Sequence, residues 1–169
     1  MKNLMLIILL TFGFIGFAQL GIDMTSPHEQ AILDFPAGQN KGIILPMVST
    51  LPTANANNNG TFVLDLNNGK IRIVENGAWR DLTKGNSNVN TTNYPVNPSA
   101  ETGDGVIIGS TSSSASGVLV LESTDKGLML PKVTNAHTDI KSPYPGLMCY
   151  DTTKAAVAIY DGTGWFYWK

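Results

Sequence analysis

The chain has 169 residues, 14% of them charged and 43% hydrophobic, with a formal charge of -2 at pH 7. So weak and slightly acidic a balance provides no electrostatic footprint for nucleic acid or for an anionic membrane surface. A single cysteine, Cys149, cannot staple the chain internally, so stability has to come from burial, calcium or association.

In chain order, the first element is an export signal. Lys2 precedes an apolar run from Leu4 to Phe17, and small residues stand at Gly16 and Ala18. These are the three parts of a secretory signal peptide, with cleavage expected after Ala18 and Gln19 left first. The run is too short for an uncleaved anchor, given a hydrocarbon core of ~30 Å and a helix rise of 1.5 Å per residue. No cysteine follows it, which argues against a lipid anchor. Removal of residues 1–18 takes away Lys2 as the only charge and moves the formal charge from -2 to -3.

Residues 20–83 realign on 106–169 at an offset of 86, slipping to 85 across the middle. The strongest block sets Lys41-Gly42-Ile43-Ile44-Leu45-Pro46-Met47-Val48-Ser49 against Lys126-Gly127-Leu128-Met129-Leu130-Pro131-Lys132-Val133-Thr134. Beyond it Gly60, Asp65 and Trp79 match Gly146, Asp151 and Trp165. The expected organisation is a signal at 1–18, a first β repeat at 19–83, a linker at 84–104 and a second repeat at 105–169. The linker is rich in Asn, Ser, Thr and Pro, with too little apolar surface to offset the entropy of ordering it.

Inside each repeat the pattern is β. Ile71-Arg72-Ile73 and Val157-Ala158-Ile159 place branched apolar residues at every second position, the period of a half-buried strand. Asn68-Gly69, Asn76-Gly77 and Asp161-Gly162 are turn dipeptides that tolerate positive φ. The reading is a three-stranded meander closing each copy, at 61–66, 70–75 and 78–82, then 147–151, 156–160 and 165–168. Earlier strands are expected at 31–35 and 43–48, and at 117–122 and 128–133. Thr134 can cap a short helical turn over 135–141, whereas 52–59 is too Asn-rich to assign. The fold class is therefore all-β, built from two tandem copies of a short-strand repeat. Each copy is marginal alone, so pairing between copies or between chains is the expected remedy.

The run from Leu119 to Thr134, with Pro145-Gly146-Leu147-Met148-Cys149-Tyr150-Asp151-Thr152 and Tyr160-Asp161-Gly162-Thr163-Gly164-Trp165, resembles a repeat common in secreted and surface proteins of Bacteroidota. It is also similar to segments of phage tail-fibre proteins. The resemblance covers 106–169 well and is degenerate over 20–83, where Pro36 to Asn40 and Val74-Glu75-Asn76 depart from the pattern. It implies β-rich architecture, an extracellular setting and assembly into fibres or trimers, and it brings no catalytic residues. Asp151-Thr152-Thr153 also resembles an O-glycosylation sequon of the same bacteria, against a plain hairpin turn.

The remaining residues point away from catalysis. His28 and His137 are far apart and not equivalent under the repeat, so two solvated loop histidines are expected rather than a metal site. Ser110 to Ser116 lacks a nucleophile elbow and reads as a turn. Cys149, among apolar strand residues, reads as a small buried hydrophobe, with an intermolecular or reactive thiol as the alternative. The pointed feature is the aromatic C-terminus. Trp165 and Tyr167 face one side of a strand, with Trp165 and Trp79 expected in the core, and Phe166 and Trp168 face the other. That second face suits packing within the chain, an oligomer or partner interface, or a glycan platform. The expectation is thus a non-enzymatic, secreted or cell-surface structural or adhesive module. It needs no cofactor or metal, has no membrane span after signal removal, and self-associates (a trimer being favoured) or binds other surface proteins. A carbohydrate-binding module using Phe166 and Trp168 is the alternative. Trp79, Trp165, Gly42, Gly127, Pro46 and Pro131 are the structural repeat positions.

Overall fold

The computed structural model describes residues 19–85, 89, 99, 103 and 105–169; the expected export signal and most of the expected linker lie outside these. The fold is nearly all β. Among the described residues fourteen short strands form four sheets, with one 3-10 turn at Ala56–Asn58 and one helical turn at Ala136–Asp139. The first half contains β1 (Leu20–Gly21), β2 (Ala31–Asp34), β3 (Ile43–Ile44), β4 (Met47–Val48), β5 (Phe62–Asp65), β6 (Lys70–Glu75) and β7 (Ala78–Asp81). The second contains β8 (Val106–Ile108), β9 (Leu119–Leu121), β10 (Gly127–Leu128), β11 (Lys132–Val133), β12 (Leu147–Asp151), β13 (Ala156–Tyr160) and β14 (Trp165–Trp168).

The expected meanders are present as β5-β6-β7 and β12-β13-β14, antiparallel throughout. Each gains a strand that alternation alone did not reveal, since β4 pairs parallel to β5 and β11 parallel to β12. Prolines explain how. The runs expected as single strands at 43–48 and 128–133 are each split at a proline, which has no N–H to give to a ladder. Pro46 and Pro131 instead offer their carbonyls to Leu64 N and Tyr150 N, at 2.8 and 2.9 Å, where the chain starts its next pairing.

The registers of the two halves coincide. Leu20↔Leu33 and Gly21↔Asp34 become Val106↔Leu119 and Ile107↔Val120 when 86 is added, as Val74↔Trp79 becomes Tyr160↔Trp165. Met47↔Leu64 becomes Lys132↔Tyr150 with the slip to 85 on the first member.

The halves also interlock. β3 pairs antiparallel with the start of β12 (Leu147↔Ile44, Met148↔Ile43), and β10 pairs parallel with β2 (Gly127↔Ala31, Leu128↔Leu33). Alternation along β12 then feeds two cores. Leu147 and Cys149 join Val133, Ala136, Ile140 and Ala158 on one face, while Met148 and Ile159 meet Leu45, Leu64 and Ile71 of the first half on the other.

Two local expectations change. Asn135, not Thr134, stands at the N-cap, and its side chain makes no cap bond; the buried Asp151 carboxylate accepts from Ala136 N at 2.9 Å instead. The unassigned 52–59 segment holds the 3-10 turn, capped by Asn55 with Asn58 bonding back. Trp79 and Trp165 are both half-buried on the edge strands β7 and β14, with Trp165 packed against the first of these cores.

Candidate assembly surface

β14 hangs on β13 through Tyr160↔Trp165, Ile159↔Phe166, Ala158↔Tyr167 and Val157↔Trp168. Trp165 and Tyr167 pack against the core beneath the helical turn. The Trp165 ring meets Tyr160 at a centroid distance of 5.5 Å, tilted by 52°. A shallow depression of about 360 Å³ lies beside this pair, lined also by His137, Pro143 and Thr163. The ammonium of Lys154 sits 5.0 Å from the centroid of the Tyr167 ring. Burial raises the Tyr167 hydroxyl above its ordinary pKa, helped by the charges of Asp151 and Cys149.

Phe166 and Trp168 occupy the opposite face, beside Ile159 and Val157. Phe166 is half-buried, whereas Trp168 is 43% exposed at the free edge. Trp79, which matches Trp165, donates its indole N–H to the Pro52 carbonyl at 2.9 Å. The glycines differ more than their shared motif suggests. A Cβ on Gly42 would lie 2.5 Å from the Met148 carbonyl oxygen, whereas one on Gly127 would meet nothing within 4 Å.

Cys149 is wholly buried, and its thiol is pushed up to about 12 by burial first and by the charge of Asp151 second. A thiol so placed is neither nucleophilic nor open to another chain. His28 is exposed and lies outside any strand, and its Nδ1 lies 2.7 Å from Asp34 Oδ2, which also accepts from the His28 amide at 2.9 Å. Burial alone would raise the Asp34 carboxyl, but the bonds from His28 and Phe35 and the charge of His28 outweigh it and hold it below its ordinary value. Among the described residues no group of three or more His, Cys, Asp or Glu is placed to hold a metal ion. The serine segment is tied down in part, Ser113 hydroxyl donating to Glu122 and accepting from Ala115 N. In Asp151-Thr152-Thr153 the aspartate is buried and accepts from Ala136 N and Lys154 N, while both threonines are exposed.

Sequence reading missed a set of exposed apolar residues. Val118, Leu119 and Leu128 are exposed in the second half, as is Ile44 in the first. Their strand-like composition signals burial, and only the three-dimensional arrangement reveals that this chain leaves them uncovered.

No curated protein and no solved structure matches the chain. Residues 107–169 match the family model described as a phage tail like trimerisation region, and this part of the chain is similar to such a region.

Proposed function

We propose that the protein is an exported, non-enzymatic structural module that self-associates as a trimer in a fibre-like or adhesive assembly at the cell surface or beyond it. The observation that carries this reading is the match of 107–169 to a trimerisation region. The two halves are read as tandem copies of one unit, a reading supported by strand registers that coincide after a shift of 86. Export rests on the Lys2, Leu4–Phe17 and Ala18 pattern. Among the described residues no helix is long and apolar enough to cross a membrane.

The face carrying Phe166 and Trp168 supplies one contact in this assembly. Burying two large aromatics contributes roughly 3–6 kcal/mol at ordinary transfer values, enough to matter for association without setting its stoichiometry. Light scattering on the exported protein is expected to give three times the chain mass. The double substitution Phe166→Ser plus Trp168→Ser is expected to weaken association. A wild type that stays monomeric at high micromolar concentration overturns the assembly reading and leaves the aromatic face for a sugar, which a glycan array would then detect. Mass spectrometry of the same material should find Gln19 first.

A further inference from the structure

We infer that chains join head to tail, the second half of one docking on the first half of the next through the two strand pairings that already lock the halves together within a chain. The inference rests on the self-association reading and specifies its surface. Within one chain the contact has two parts: Gly127 and Leu128 lie along β2, and Ile43 and Ile44 cover the start of β12. Because 41–49 corresponds to 126–134, each part has a counterpart that a single chain leaves unmade. The outer edge of β9 corresponds to the edge of β2 that β10 covers, and Gly60 to Phe62 correspond to the Gly146 to Met148 edge that β3 covers.

Exposure follows this division. Leu33, paired with Leu128, is 2% exposed and its neighbour Ile32 3%, whereas their equivalents Leu119 and Val118 are 48% and 60% exposed. Gly146, Leu147 and Met148 are buried, but Gly60 is exposed and Thr61 and Phe62 are only half-buried. The strand that would cover each site is ready. Gly127 N and Met129 N bond to Gln30 O and Leu33 O at 2.8 and 2.9 Å, so alternation aims the amides of Leu128 and Leu130 at the opposite, open edge. Their counterpart Leu45 N donates to Gly146 O at 2.9 Å, which assigns Leu130 N to Gly60 O of the next chain.

Gly127 supplies an independent sign. At Gly42 the glycine is required, since any side chain would strike the Met148 carbonyl; at Gly127 the space is open and φ is not in the left-handed region, so nothing in its own chain requires glycine. In the head-to-tail contact the Phe62 carbonyl of the next chain takes the place of Met148, and Gly127 acquires the same steric reason. Such a contact joins unlike surfaces, and it closes into a ring where the rotation between chains permits.

Two variants test this. Gly127→Leu fits the free chain, so its circular dichroism and its melting in dilute solution should match wild type, while light scattering should show the mass fall to one chain. Thr61→Cys combined with Met129→Cys sets the two positions opposite each other across the proposed junction, and mild oxidation should give covalent multimers on a non-reducing gel, independently of whether Gly127→Leu folds. An assembled wild type whose Gly127→Leu form assembles equally well and whose cysteine pair yields no interchain bond overturns the strand pairing while leaving self-association standing. A wild type monomeric at high micromolar concentration overturns both.

Discussion

The buried Asp34 carboxylate accepts from the amides of His28 and Phe35 and lies against the His28 ring, and these bonds set its ionisation. Its folded carboxyl releases its proton more readily than in the unfolded chain, so its stabilising contribution is complete above the unfolded value of 3.8 and is lost as pH falls through the lower folded value. Asp34→Asn should therefore melt below wild type at neutral pH, with the gap narrowing in melts below pH 3.8. Cys149 has the opposite consequence. Its thiol is raised to about 12 from 9.0, so the folded state keeps a proton that the unfolded chain gives up, and stability declines as pH climbs through that interval. Cys149→Ala should flatten the alkaline part of the stability profile, and the native wild type should react with a thiol reagent only after denaturation. That Cys149 is buried was legible from its apolar neighbours. The bond between His28 and Asp34 was not, because a histidine followed six positions later by an aspartate has no signature until β2 and the preceding turn bring them together.

At the level of elements, turn conformation is shared between the halves even where the residue is not. Gly69 has φ 60° and Ala155, at the matching position, has φ 49°. Alanine in the left-handed region costs roughly 1–2 kcal/mol that glycine does not incur, partly offset by the larger backbone entropy glycine loses on folding. Ala155→Gly is thus expected to stabilise by about 1 kcal/mol and to raise Tm by roughly 2–4 °C in a chain of this size, as calorimetry would show. The strands at 70–75, 147–151, 156–160 and 165–168 were readable to the residue, because alternation and turn dipeptides agree there. Those at 43–48 and 128–133 were readable as β but not as broken, since a proline within an apolar run leaves open which neighbour each side will pair with. The two-residue strands β1, β3, β4, β10 and β11 owe their conformation to partners far away in sequence, and no local window contains that information.

For the whole molecule, a chain whose folded form is stabilised by other copies of itself must melt at a temperature that depends on its concentration. Scanning calorimetry of the wild type is expected to show Tm rising across a hundredfold concentration range, and Phe166→Ser plus Trp168→Ser to show a weaker rise. A fixed Tm for the wild type would argue for a monomer. The aromatic face was legible in the sequence because five aromatic residues fall between Tyr160 and Trp168. The open edges at Gly60 to Phe62 and along β9 were not, because the residues that leave them open are indistinguishable in type from those whose equivalents are covered.

The lodging of β3 against β12 also sets an order of events. Ile43 and Met148 are about a hundred residues apart, so the second core cannot close until nearly the whole chain is free to search for that contact. Under the proposed export, a chain threaded with its first half emerging ahead of its second would be unable to complete this pairing inside the cell, and its topology alone would keep it translocatable.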